Sequence, residues 1–463
     1  MPTFGLTSFR DLFALQGAKK VPARSSIALP ANSNELTTDI RNTDSNLDRI
    51  MAATAPVVMV LGRAGTGKTT LVRQLRVAPG REQVVLAYTG VAALNAGGQT
   101  LHSFFGLPWA ITELNEIHPS RRLRDIAPHL DRIIIDEISM VRADIIDAID
   151  RSLKVARGSE LPFGGVQIVF VGDFLQLPPI VNRREREALE QLGYPTVSPI
   201  AAKCLQNIKT QVVHLHKVYR QTDPNFINLL GSVRRGDDLD QVIPKLNDLC
   251  CRNHRTGYKP LLLTCSNEVA DLYNQNGLSE LPGPLTFFTG TIAGEFERKE
   301  ERLPAPLELA LKVNARVMMV RNDPAHRWVN GTLGTVSRLS RDGIWVRLDR
   351  AATEVEIQRE HWESIRYNWN DLHHKLESEV VGTYSQFPLK LAWASTIHKA
   401  QGCTLEDVRL DLTGGAFETG QAYVALSRVT SLDGLSFRIP MRVADVKVDQ
   451  IMLDILDRLT PDI

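Results

Sequence analysis

At 463 residues and 43% hydrophobic composition, the chain is long enough for about three domains with ordinary buried cores. No apolar stretch reaches the roughly eighteen residues of a membrane helix, and nothing reads as a secretory signal, so no membrane partner is expected. A net charge of +1 gives no global attraction to polyanions, and five cysteines without a Cys-x-x-Cys pair imply neither a zinc ribbon nor a disulfide framework.

Residues 1–50 are rich in Pro, Ser and Asn with little apolar periodicity, and read as a flexible leader. Their acid-poor start, with Lys19, Lys20 and Arg24, is only a weak match to a transit peptide. A reducing, cytoplasmic setting is the expectation, nucleoid-associated in a bacterium, with mitochondrion and nucleus left open. From residue 57 onward short aliphatic runs alternate with helical patterns: 57–61, 84–87, 133–135 and 167–171. That alternation is the α/β signature of a parallel sheet, whose ligands bind at the carboxyl ends of the strands. A second such set at 212–215, 261–265 and 391–395 predicts a second sheet domain. Between its parts, short strands punctuated by Asn330-Gly331 and Asp342-Gly343 predict a small inserted β-barrel holding four of the six tryptophans. Trp328, Trp345, Trp362 and Trp369 read more readily as core packing than as base-stacking platforms.

The run Gly62-Arg-Ala64-Gly65-Thr66-Gly67-Lys68-Thr69-Thr70 follows the first aliphatic strand. A buried strand feeding a glycine-rich turn that opens a helix converges backbone N–H groups and the helix N-terminus on one point, a seat for polyphosphate. Lys68 then reaches the β/γ-phosphates and Thr69 a Mg²⁺ ion, so ATP and Mg²⁺ are the expected ligands. The strand 133–135 delivers Asp136 to hold the metal shell and Glu137 to orient or deprotonate the attacking water. The next strand ends in Gly172-Asp173, and two prolines after Gln176 stop any helix, leaving that amide free to sense a γ-phosphate. Two arginines in marked settings, Arg220 in Val-Tyr-Arg-Gln and Arg428 in Ala-Leu-Ser-Arg-Val, are candidate fingers reaching across a cleft between domains. Basic clusters at 121–124, 183–186 and 234–235 read singly as solvated faces.

Assembled in order, these segments resemble superfamily 1 helicases, and most closely the PIF (petite integration frequency) family of 5′→3′ DNA helicases. The specific pieces are the runs 89–104, 172–179, 328–334, 395–402 and 420–435, with 146–157 resembling the family's signature helix. The resemblance implies an α/β fold of two RecA-like P-loop domains. These are expected at 51–184, with a small wedge at about 104–125, and at 185–312 plus 386–463, with an SH3-like β-barrel inserted at 313–385. It also implies single-stranded DNA lying across both domains. Thr89, Gly90 and His102 contact it on the first side and Thr396, His398 and Lys399 on the second, while Gln401 and Gly402 couple that grip to the nucleotide. Hydroxyls and lysines grip phosphates without reading sequence.

Three departures stand out. No glutamine upstream of residue 57 matches the adenine-reading position, Tyr88 replaces the usual proline, and Ala400 replaces a common serine. An ATP-switched clamp without unwinding and a RecD-type subunit of a nuclease complex share most of these motifs. The expected partners are single-stranded DNA and junctions, handled by a monomer. The motifs do not choose among forks, G-quadruplexes and RNA–DNA hybrids.

Overall fold

The computed structural model describes residues 46–111, 113–251, 259–349 and 353–459. The predicted leader lies outside these except for its end. There Asn46–Met51 is helical, with Ile50 wholly buried against the first sheet, so the end of the predicted leader is part of the first lobe.

Six strands form the first sheet: β1 (Val57–Gly62), β2 (Gln83–Ala87), β3 (Gln99–Thr100), β4 (Arg132–Asp136), β5 (Gln167–Gly172) and β6 (Thr210–Leu215). Their order is β3-β2-β4-β5-β1-β6, and every pairing is parallel. Helices cover both faces, so β1, β4 and β5 are buried along their whole length and tolerate only continuous aliphatic sequence. Placement of β6 corrects the predicted boundary. The run 212–215 was expected in the second sheet, yet it pairs with β1 from Val57↔Thr210 to Gly62↔Leu215. The preceding segment follows it: Leu189, Tyr194, Ile200 and Leu205 lie in the first core, so 185–215 belongs to the first lobe rather than the second.

The wedge region contains two short helices, Leu101–Phe105 and Arg121–Ile126, whose apolar residues Phe104, Phe105 and Leu123 drop into the same core. Helix α1 (Ala143–Arg157) packs behind the sheet and turns three carboxylates inward. Asp144 pairs with Arg142, Asp147 accepts from Tyr194 Oη and the Cys204 amide, and Asp150 accepts from the Phe163 amide. Spaced three apart on one face, each acid ties down a different loop.

A second parallel sheet runs Ala394–Thr396, β7 (Leu261–Thr264), Val408–Asp411, Leu435–Phe437. Inserted in it is a five-stranded antiparallel sheet built from residues 316–357 and Leu389–Leu391. The run 391–395, read as one strand, is therefore divided. Its first residue closes the inserted sheet, its last two join the second lobe, and the insertion ends near 391 instead of 385. A long hairpin, Glu360–Asn370 and Lys375–Gln386, extends from the insertion to the first lobe. There the Tyr367 hydroxyl accepts the Val85 amide at 3.3 Å, and Trp369 stacks on His129 with centroids 3.7 Å apart. Trp328 and Trp362 are buried, consistent with packing roles. Among the described residues no helix is long and apolar enough to cross a membrane.

Candidate nucleotide and nucleic-acid cleft

β1 delivers the glycine-rich loop to the carboxyl edge of the first sheet, and helix α2 (Lys68–Val77) starts immediately after it. Gly65 and Gly67 take φ of 79° and 82°, left-handed conformations that a β-carbon disfavours, and these curl the loop so that its amides face one point. Thr66 Oγ1 donates to the Arg63 carbonyl at 2.9 Å. Lys68 Nζ donates to the carbonyls of Gly62 and Arg63 at 2.8 and 3.0 Å. Burial lowers the Lys68 ammonium from its ordinary range, opposed by the nearby Asp173, Glu137 and Asp136 carboxylates. A desolvated cation held over an anion-binding loop suits a multiply charged phosphate.

Asp136 ends β4 at 3% exposure. Burial and then the Glu137 carboxylate push it up to about 7, while one of its oxygens accepts the Glu137 amide at 2.9 Å. Glu137 adopts φ 52°, a strained conformation for a residue with a side chain, which turns the backbone sharply beyond the strand. A buried carboxyl whose desolvation outweighs the nearby Lys68 and Arg73 charges, lining the same cleft as Thr69, has the chemistry of a hard divalent-ion site. Gln176 is buried in the turn after β5, its amide 3.4 Å from Asp173 Oδ2.

Both candidate arginines stand at this edge. Arg220 follows β6 directly, which corrects the expectation that it crosses from the second domain. The first lobe supplies its backbone, and its guanidinium donates to Thr404 Oγ1 and the Ser427 carbonyl of the second lobe. Arg428 leaves helix α3 (Gln421–Ser427), which packs against helix α4 (Pro224–Arg235), and donates to the Val424 carbonyl and Ser427 Oγ. All of these acceptors are neutral. Burial, then mutual repulsion, brings Arg220 down to about 9, and burial lowers Arg428. Two desolvated guanidinium groups held near Glu137 attract an incoming anion.

The second half of the cleft starts with Thr89, whose hydroxyl caps the helix Gly90–Ala96 by accepting from Ala92 N. His102 is buried, both of its ring nitrogens lack partners among the described residues, and its ring is stacked on Trp109 at 3.8 Å. Burial, helped by Arg142 and Arg302, depresses His102 to about 4, so the ring is neutral at physiological pH. Thr396 ends its strand with its hydroxyl accepting the Lys399 amide at 3.3 Å; His398 lies over Phe417, and Lys399 is exposed. Gln401 has a buried amide nitrogen without a partner, and Gly402 sits at φ 81°.

One continuous cleft of about 3120 Å³ runs past the phosphate loop, Asp136, Glu137, Gln176 and both arginines to Thr89, Gly90, His102, His398 and Lys399. Gly62 and Thr396 do not line it. Gln401 and Gly402 line the same cleft. Sequence reading missed Tyr219, 65% exposed, whose ring edge would stand 3.7 Å from a β-carbon at Gly67. An aromatic residue beside Arg220 was the available signal. It also missed Trp109, Arg234 and Tyr423. The cluster 234–235, taken as a solvated face, is corrected in part, since Arg234 is an interlobe ion-pair partner of the wholly buried Asp173.

A phosphate loop, a strand-end acid pair and two arginines gathered between parallel sheets define a two-lobed P-loop nucleotide hydrolase. The profile of the family described as PIF1-like helicase matches residues 36–242. The ATP-dependent DNA helicase Pif1 of Bdellovibrio bacteriovorus is 36% identical over 387 residues, covering 82% of this chain and 83% of that protein. The chain thus belongs to the Pif1-like helicase family. Some relatives are longer: against the Danio rerio PIF1, 36% identical over 391 residues, the match covers 82% of this chain and 58% of that protein. Bacteroides sp Pif1 in complex with ADP-AlF4 superposes with a TM-score of 0.82 at 33% identity, covering 93% of this chain and 98% of that one. Bacteroides Pif1 bound to ssDNA, also 33% identical and covering 92% and 97%, gives 0.63.

Proposed function

We infer that the protein is an ATP-dependent DNA helicase that moves 5′→3′ along single-stranded DNA and separates duplex or otherwise structured DNA. The observation that carries this reading is the shared cleft: one cavity is lined by the phosphate loop, both arginines, Gln401, Gly402 and the candidate strand-gripping residues Thr89, Gly90, His102, His398 and Lys399. Nucleotide-dependent closure of the lobes then shifts one grip relative to the other.

In this reading the loop amides of residues 65–70 and Lys68 hold the phosphates of ATP, with Ala64 lining the loop beside them. Thr69 and Asp136 would hold Mg²⁺, which supplies charge neutralisation at the phosphate oxygens. Glu137 orients the attacking water, Gln176 contacts the γ-phosphate, and Arg220 and Arg428 stabilise the charge that develops as it leaves. Thr89, Gly90, His102, Thr396, His398 and Lys399 hold the strand through its backbone, without sequence preference. Because His102 is neutral, it serves as a stacking or hydrogen-bonding surface rather than as a cation. One chain supplies both lobes, so a monomer suffices. Single strands at forks, junctions, G-quadruplexes or RNA–DNA hybrids all offer the same grip.

The two guanidinium groups without acidic partners favour turnover over a passive clamp. Unwinding of matched 5′-tailed and 3′-tailed duplexes with ATP and Mg²⁺ tests the proposal, with Lys68→Ala as the inactive control. Separation of the 5′-tailed substrate alone is expected. Separation of neither, or of the 3′-tailed substrate alone, overturns it.

A further inference from the structure

Behind the phosphate loop the lobes are joined by a buried polar cluster that none of the roles above uses. Asp173, from the end of β5, has no exposed side-chain surface, and Arg234, near the end of α4, reaches it across the interface. Nη2 donates to Oδ1 at 2.7 Å, and Nε lies 3.2 and 3.3 Å from the two carboxylate oxygens. Burial alone would raise the Asp173 carboxyl, but the Arg234 charge and hydrogen bonds, together with Lys68 and the Leu175 amide, hold it below its ordinary range.

Tyr423 sits on the inner face of α3, 3% exposed. Its hydroxyl donates to Asp173 Oδ2 at 3.4 Å and accepts the Ala64 amide, a phosphate-loop N–H, at 3.0 Å. One phenol therefore touches the loop that holds the nucleotide and the carboxylate that holds the second lobe. Asp173 Oδ2 also accepts the Gln176 amide, so the same oxygen is shared with the residue placed at the γ-phosphate. The start of α3 lies hard against the turn after β5. A β-carbon on Gly420 would come within 2.5 Å of the Gln176 carbonyl and 2.6 Å of the Leu175 carbonyl. Helix α3 ends one residue before Arg428, so a shift of α3 moves the Ala64 partner and the arginine together.

A buried amide that loses its acceptor is left unsatisfied, so Ala64 favours whichever arrangement keeps Tyr423 close. Since Tyr423 belongs to the second lobe and Ala64 to the first, the shape of the loop and the closure of the lobes become a single linked equilibrium. We propose that Tyr423 is a positioning residue for ATP turnover: its hydroxyl ties the phosphate loop to the Asp173–Arg234 pair and transmits lobe closure to the bound phosphates. This rests on the helicase reading above.

Tyr423→Phe keeps the ring and removes only the hydroxyl. With saturating single-stranded oligothymidylate, kcat for ATP hydrolysis is expected to fall about tenfold, the effect of one hydrogen bond made in the transition state. KM for ATP and affinity for the oligonucleotide stay within about twofold, because neither ligand touches the hydroxyl. A kcat within twofold of the parent overturns the proposal. The double variant Asp173→Asn with Arg234→Gln removes the ion pair without stranding a charge, and it decides the matter alone should Tyr423→Phe fail to fold. It is expected to lose kcat to a similar extent, and adding Tyr423→Phe to it costs little more, since the groups act as one unit. Fully additive losses overturn the linkage. A parental protein without DNA-stimulated hydrolysis refutes the motor reading, whereas a stimulated parent beside an unimpaired Tyr423→Phe refutes this proposal only.

Discussion

Gly65 and Arg220 lie against one another so closely that a β-carbon on the glycine would meet the Arg220 β-carbon at 2.6 Å. Tyr219, one residue before, donates its amide to the Gly65 carbonyl at 2.8 Å. The phosphate loop and the segment carrying the first finger are therefore a single piece of packed backbone. Gly65→Ala combines that collision with a left-handed φ of 79°, and it displaces both elements at once. DNA-stimulated ATP hydrolysis is expected to fall by at least about a hundredfold, the penalty of misplacing reacting groups by an ångström. Gly80, at φ 87° with nothing within 4 Å of an added β-carbon, is the control; Gly80→Ala bears the same backbone strain and leaves turnover close to the parent.

Arg428 reaches the cleft from a helix otherwise wholly buried, and its recorded acceptors are neutral oxygens. Arg428→Ala is expected to lower kcat about a thousandfold, at the lower end of what an arginine finger contributes. Binding of a nucleotide analogue, followed by fluorescence titration, changes far less, because Lys68 and the loop amides hold the ground state. Equal losses in binding and turnover are the result incompatible with a finger.

His102 carries a pH signature of opposite sign to that of a paired histidine. Its folded value of about 4 lies below its ordinary value of 6.5, so the unfolded chain binds the proton more tightly. Stability from this group is present above about pH 6.5 and is lost as pH falls toward 4. His102→Phe retains a ring to stack on Trp109 and has nothing to protonate. Its melting temperature relative to the parent is expected to be higher at pH 5 than at pH 8. A constant difference across that range removes the titration from the account.

What could be read from the linear chain was what is encoded locally. The phosphate loop is strand, turn and helix in succession, so Val57 to Thr69 announced its local fold. The acid pair after β4 and the Gln176 turn after β5 were legible for the same reason. Strand β6 was misassigned because an aliphatic run records a preference for a sheet interior without recording which sheet; only its register with β1 does that. Arg234 looked like one member of a solvated pair because its partner lies 61 residues earlier in the chain. Tyr423 lies inside the run 420–435 without a local signal of its own, its acceptor role depending on an amide 359 residues away.

The hairpin of the insertion gives the last prediction, and it concerns equilibrium between arrangements of the lobes. Tyr367 and Trp369 bind the hairpin to the first lobe, and Leu376 adds an amide donated to Glu82 Oε2 at 2.8 Å. Bacteroides Pif1 bound to ssDNA superposes less well than Bacteroides sp Pif1 in complex with ADP-AlF4, at equal identity and nearly equal coverage. The hairpin contacts are made in the arrangement this chain adopts, which is nearer to the ADP-AlF4 complex than to the ssDNA complex. A contact made in one arrangement stabilises it at the expense of the other. Trp369→Ala removes a ring stacked on His129, a loss on the order of 1 kcal/mol, or about fivefold in the equilibrium. Single-stranded DNA is expected to bind up to about fivefold more tightly to the variant, as measured by fluorescence anisotropy. Weaker binding would mean that the docked hairpin belongs to the DNA-holding arrangement.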